Sequence, residues 1–384
     1  MQRVPINGSF LRIYNRANIL NLIRIHQAVS RADLAKLTGL SQTAIGSLTA
    51  ELIDESYIEE TGIGESRGGR KPILLQLKKL SYYSIGVDIG VKSIRVIIID
   101  LLGSIVYEEL FTLDYCKDYP RVISFIEKSI HSSVIIRSIP MDRILGISLA
   151  IPGAVSNSTN RILFSPNLGW EDISVPVYFD TLPNVQIVLE NDANACAVFE
   201  HWLGACQGIN NFVCVVHTNG IGAGVFIDGK LYRGSDGISA QIGHIQVDEN
   251  GPQCSCGNYG CLEVMAADSC CVEKMKRFIR QGITKIDGLS DIEDINIDII
   301  RQEALKGNEV AINILMEAAT YLGIGMSILV NVLNPSKIVF GKGYSNLPEM
   351  LLERIISVVN NKVLKVYKSR FNITTSNSSE NAVA

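Results

Sequence analysis

The sequence predicts an α/β chain in which a small helical head with a strand pair precedes a larger body of alternating helices and strands. Three observations carry this reading. From Asn15 to Ile58 the apolar residues recur at helical spacing, after Ser81 the pattern changes to short runs of strand type, and the charge divides along the same line. Residues 1–80 hold 11 Lys and Arg against 7 Asp and Glu, leaving 24 against 32 for the remainder, so a basic head sits on an acidic body. At 384 residues and 47% apolar content the chain exceeds the size at which one core stops growing, and a division into residues 1–80 and 81–384 is expected.

In the head, Ile19, Leu22 and Ile23, then Leu34 and Leu37, then Ile45, Leu48 and Leu52 mark successive helices. The stretch Ser30–Ile53 fits a helix-turn-helix: Ser30 caps one helix, Gly39 supplies a left-handed turn residue, and Ser41 caps the next, with Leu34, Leu40, Ile45 and Leu48 as the shared core. The second helix, from about Gln42 to Asp54, turns Gln42, Thr43, Gly46 and Ser47 outward, as residues that reach base edges in a major groove would be. No Lys or Arg lies on that face, so phosphate contacts fall to Arg31, Lys36, Arg67, Arg70 and Lys71. Tyr57–Thr61 and Ile73–Leu77 flank the glycine-rich tip Gly62–Pro72 and read as a wing. An ordinary three-helix bundle with a solvated basic loop has the same helical spacing; the wing favours a DNA-reading head.

In the body, Tyr83–Val87 and Ile94–Asp100 read as a hairpin, Gly103 turns the chain into a third strand at Ile105–Leu110, and further strands fall at Ile187–Leu189 and Phe212–Val216. A helix is expected from about Glu309 to Leu333, and no short sequence repeat is visible. Apolar runs such as Ile94–Leu102 are broken by charge, and the start of the chain has no signal-peptide pattern, so a cytoplasmic protein is expected.

Nine cysteines are unevenly placed: Cys254, Cys256 and Cys261 crowd into one glycine-loosened loop, with His244 just before it. Three thiols and an imidazole form a closed structural zinc set, because crowded thiolates need a cation. Three core cysteines beside an incidental histidine are the plainer alternative.

The run Cys254-Ser-Cys-Gly-Asn-Tyr-Gly-Cys-Leu-Glu263 resembles the signature of the ROK family of sugar repressors, sugar kinases and relatives, and Gly220–Gly224 and Gly229–Gly234 resemble its other landmark. The resemblance covers nearly the whole chain, the head being similar to that of ROK repressors of the xylose-repressor type. It implies an actin- or hexokinase-like fold with two α/β lobes, assembly as a homodimer or a dimer of dimers, and a sugar site at Asn191, Asp192, Gln241, His244 and Glu263, with Asn167 and Gly153 in support. A ring of hydroxyls needs paired acceptors and amide donors of this kind. His244 would bind zinc with one ring nitrogen and face the sugar with the other. Gln241 departs from the family's glutamate and replaces a charged acceptor with a neutral amide.

A ROK kinase needs Asp-x-Gly-Gly-Thr after the first strand; here the stretch is Asp88-Ile-Gly-Val-Lys92, and a second phosphate segment, Gly-Thr-Gly in the family, is Thr218-Asn-Gly220. Valine obstructs the close backbone approach that phosphate binding requires. Asp192, a kinase's catalytic base, is then left to bind a hydroxyl. These features favour a non-enzymatic repressor of carbohydrate-utilisation genes, bound to operator DNA and released by a sugar, xylose from the likeness, over a ROK kinase that phosphorylates a hexose or amino sugar with ATP. A body that has lost its ligand and only dimerises the head is a third reading, supported by Gln241. The chain ends at Asn381-Ala-Val-Ala384, short of the helix that the family continues there.

Overall fold

The computed structural model describes residues 8–63, 71–217, 220–344, 347–368, 370–376 and 383. The head comprises α1 (Gly8–His26), β1 (Val29–Ser30), α2 (Arg31–Thr38), α3 (Gln42–Asp54), β2 (Ile58–Ile63) and β3 (Ile73–Leu77), its strands forming an antiparallel sheet ordered β1-β3-β2. Local chemistry sets these boundaries. Ser30 Oγ accepts from Asp33 N, Gly39 closes α2 with φ 71°, and Ser41 Oγ accepts from Ala44 N at the start of α3. Ile19, Ile23, Leu34, Ile45, Leu52 and Leu75 fill a core of the head's own, and Leu40 packs against it. Leu37 departs from expectation and is 50% exposed. It lies in the last turn of an eight-residue helix that buries only Leu34 fully.

The body has two lobes built alike. In the first, β4 (Tyr83–Ile89), β5 (Ser93–Asp100) and β6 (Ile105–Thr112) form an antiparallel meander, α4 (Tyr119–Ile136) crosses over, and β7 (Ile144–Ile151) returns parallel to β4. After a small antiparallel sheet of β8 (Ala154–Ser156), β9 (Arg161–Ser165) and β10 (Trp170–Ser174), β11 (Ile187–Asn191) completes the order β11-β7-β4-β5-β6.

Helix α5 (Asp192–Trp202) leads into the second lobe. There β12 (Phe212–His217), β13 (Ile221–Ile227) and β14 (Lys230–Leu231) form the meander, and β15 (Lys337–Phe340) and β16 (Asn372–Thr375) add in parallel, giving β14-β13-β12-β15-β16. Helices α6 (Leu262–Ala266), α7 (Asp268–Arg280), α8 (Ile297–Leu305), α9 (Glu309–Leu333) and α10 (Glu349–Lys362) cover it. In each lobe the first strand is central and the fourth and fifth extend the sheet beyond it: a topological duplication with no counterpart as a sequence repeat. Helix α9 is long and apolar enough to cross a bilayer by length and composition. Its Ile314, Leu322, Met326 and Val330 instead lie in the core of the second lobe.

Candidate functional site

Between the lobes lies a cavity of about 250 Å³. Asn167, Gly153, Asn191, Asp192, Gln241, His244 and Glu263, the seven residues expected at a sugar site, all line it. They arrive from different elements: Gly153 from the turn after β7, Asn191 and Asp192 from the β11–α5 junction, and Glu263 from the first turn of α6. Phe164, Val216, Ile221 and Ile238 supply apolar wall. Polar groups over an apolar lining are what a ligand with hydroxyls on a carbon ring needs.

Several of these side chains also build the site. Asn191 caps α5, its Oδ1 accepting from Ala193 N at 2.9 Å and Asn194 N at 3.1 Å, while its Nδ2 donates to Gly153 O at 2.9 Å. Glu263 Oε2 accepts from Ile221 N at 3.2 Å. That approach depends on Gly220, since a Cβ there would lie 2.1 Å from Glu263 Oε2. Gly153 has φ +130°, and a Cβ would lie 2.4 Å from Phe164 O, so only glycine fits this corner.

Asp192 is buried, and its carboxyl is pushed up from 3.8 to about 6, first by burial and then by the negative charge of Asp88, against the pull of Lys342 and the Ala193 amide. Lys342, in the turn after β15, pairs with Asp88 at the end of β4, so an ammonium tied to the first lobe from the second stands beside Asp192. Sequence reasoning marked Asp88 within an altered phosphate segment but missed Lys342, whose only local signal is a lysine between two glycines at the end of an apolar strand.

On the other side of His244, the ligand atoms of His244, Cys254, Cys256 and Cys261 all lie within 4.8 Å of one another, a cluster that can hold a metal ion. His244 Nδ1 is 3.6 Å from Cys254 Sγ, and Cys256 Sγ is 3.6 Å from Cys261 Sγ. The loop is shaped by its backbone: Cys254 N donates to Asn258 O at 2.7 Å, and Gly257 takes φ +95°. The other cysteines are buried, except Cys270, which is half-buried.

In the head, Ser41, Gln42, Thr43 and Ser47 are exposed on one end and face of α3, and Lys36 and Lys71 are exposed as well. Arg31 is engaged within the head, donating to Thr49 Oγ1 at 3.1 Å and pairing with Glu60 at 2.8 Å. Arg67, Arg70 and the segment Thr218-Asn219 lie outside the described residues. Arg12 and Arg16 of α1, unremarked in the sequence, pair with Glu51 and Glu55 and fix α1 against the recognition helix.

A helix-turn-helix head joined to a two-lobed body with a polar interlobe cavity defines a ligand-responsive transcriptional regulator. A model of the ROK family matches residues 84–384, and the chain belongs to that family. The xylose repressor of Bacillus spizizenii is 32% identical over 381 residues, covering 98% of this chain and 94% of that one. Among solved structures, a ROK family transcriptional regulator homologous to the Escherichia coli MLC protein matches with a TM-score of 0.82 at 26% identity, covering 97% of this chain and 94% of that one. A ROK family glucokinase from Streptomyces griseus, in complex with glucose and AMPPNP, matches with a TM-score of 0.65 at 27% identity, covering 78% of this chain and 96% of that one. The kinase accounts for the body alone, whereas both regulators extend over the head.

Proposed function

We propose that this transcriptional repressor binds operator DNA through α3 and is released by xylose bound in the interlobe cavity. The observation that carries the reading is the convergence of Asn167, Gly153, Asn191, Asp192, Gln241, His244 and Glu263 on one cavity in a chain that also presents an exposed recognition helix. Asp192 and Glu263 accept from sugar hydroxyls, Asn167 and Gln241 both donate and accept, and residues 1–80 and 81–384 act as reader and sensor. One recognition helix per chain calls for a two-fold homodimer on a palindromic operator in the cytoplasm.

Zinc fits the four-residue cluster. A tetrahedron with Zn–S of about 2.3 Å and Zn–N of about 2.1 Å has edges of roughly 3.6–3.8 Å, and two separations in the cluster are 3.6 Å. His244, Cys254, Cys256 and Cys261 would hold the ion, whose contribution is structural: it fixes the loop and the imidazole tautomer. With Nδ1 on the cysteine side, His244 keeps Nε2 for a ligand in the cavity.

Phosphoryl transfer is not expected, because Val91 and Lys92 stand where a kinase cradles phosphate and Asp88 is held in an ion pair with Lys342. A thermal-shift panel of monosaccharides and amino sugars, each with and without ATP and magnesium, tests this together with a coupled ADP assay. Stabilisation by xylose without ADP release is the expected result; turnover on the order of 1 per second or more would make the body a kinase.

A further inference from the structure

Among the described residues, two contacts between head and body stand out, one on α5 and one on the first lobe. The first is on α5, which starts at Asp192 in the cavity and ends at Trp202. Arg24 of α1 lies 4.1 Å over the Trp202 ring and donates from Nη1 to Trp202 O at 3.1 Å, while its Nη2 donates to Asn21 Oδ1 at 3.0 Å. Helix α5 packs mainly on the second lobe, against β12 and β13 with His201 stacked on Phe226 at 4.5 Å, and more lightly on β7 and β11 of the first. The second contact is on the first lobe. Tyr82 stacks on Tyr57 at 4.4 Å, donates its hydroxyl to Glu55 O at 2.9 Å at the end of α3, and lies under the Arg143 guanidinium at 4.9 Å. Beside Trp202, Leu203 abuts the β5–β6 turn so closely that a Cβ on Gly103 would lie 2.7 Å from its Cδ1.

We propose that the head is a strap across the two lobes, and that Trp202 with Arg24, and Tyr82 with Tyr57 and Arg143, carry closure of the cavity to the recognition helix. The inference rests on the sugar-release reading above. Eleven helical residues at about 1.5 Å each make α5 a rigid rod of roughly 16 Å from cavity to head. A change in interlobe angle moves its far end relative to the first lobe, where the chain itself and Tyr82 anchor the head. Both contacts therefore cannot persist unaltered at two interlobe angles, so the head must turn or release Trp202. A space of about 770 Å³ between head and body, lined by Asn21, Ile25, Gln76, Leu102, Gln207 and Asn210, leaves room for that turn. The link is a physical element with two arrangements that both sites bias.

The test uses the full-length chain, fluorescent operator DNA and xylose. Wild type should lose operator affinity by about 10-fold or more at saturating xylose, a typical coupling factor. Trp202→Ala should bind xylose within about 2-fold of wild type yet lose operator affinity by less than about 2-fold when xylose is added, and Trp202→Phe should restore most of the response. Without sugar, wild-type head and body should melt in one calorimetric transition, and Trp202→Ala combined with Tyr82→Ala should split it in two. A full xylose response in Trp202→Ala, or independent melting of the wild-type head, would overturn the strap. If xylose neither binds wild type nor shifts its operator affinity, the effector assignment fails, and the melting experiment still decides the strap.

Discussion

Asp192→Asn should stabilise the free protein at neutral pH, even though Asp192 is central to the cavity. Burial and the Asp88 charge raise the carboxyl from 3.8 to about 6, so above pH 6 the folded state holds a carboxylate that would be better solvated in the unfolded chain. A shift of roughly 2 units at about 1.36 kcal/mol per unit amounts to roughly 3 kcal/mol. The sign follows from the raised pKa: stability linked to this group is fully present below 3.8 and is lost as pH rises through about 6. Asparagine keeps an oxygen for the Ala193 amide and carries no charge to desolvate. At pH 7.5 the variant should be more stable by about 3 kcal/mol, a rise in Tm of roughly 5 °C, and the difference should shrink below about 1 kcal/mol at pH 4. Thermal unfolding of both proteins across that pH range is the assay. A variant no more stable than wild type at pH 7.5, or a gain that persists unchanged at pH 4, would refute the reasoning.

The remaining expectations concern the neighbouring groups. Cys256→Ser should lower metal affinity by more than the roughly 10–100-fold that losing an outer partner of a ligand costs, read by elemental analysis of purified protein against a wild type carrying zinc. Lys342→Met strands the Asp88 carboxylate among groups that are mostly buried and should destabilise by about 3–5 kcal/mol, whereas Lys342→Met with Asp88→Asn should recover most of the loss in denaturant titrations. In the head, Gln42→Ala should cost about 1–3 kcal/mol on the cognate operator and relax the preference for one base, while Lys71→Ala should weaken all sequences alike and reduce the salt slope by about 1.

What the sequence made legible was local. The helix-turn-helix could be read because its signals, Ser30, Gly39 and Ser41, act on backbone groups within four residues of themselves. The cavity residues could be named because they sit in short runs with motif neighbours, such as Glu190–Ala195 and Cys254–Glu263. Contacts set by tertiary structure were not legible. Lys342 meets Asp88 across 254 positions and Arg24 meets Trp202 across 178, and nothing in either neighbourhood specifies the partner. Arg31 illustrates the same limit: a basic residue at the start of α2 suits a phosphate, but Thr49 and Glu60 come within reach only once α3 and β2 have packed. The duplicated lobe topology also escaped notice, because a strand order can recur wherever the apolar pattern does, without any repeat of residues.

The most direct test of sugar-responsive repression is operator affinity measured by fluorescence anisotropy across a xylose titration, in wild type and in Asp192→Ala. The expected result is a loss of affinity of roughly 10-fold or more in wild type and operator binding that xylose does not alter in Asp192→Ala. Release of both proteins at the same xylose concentration would contradict the assignment of the effector site to the interlobe cavity.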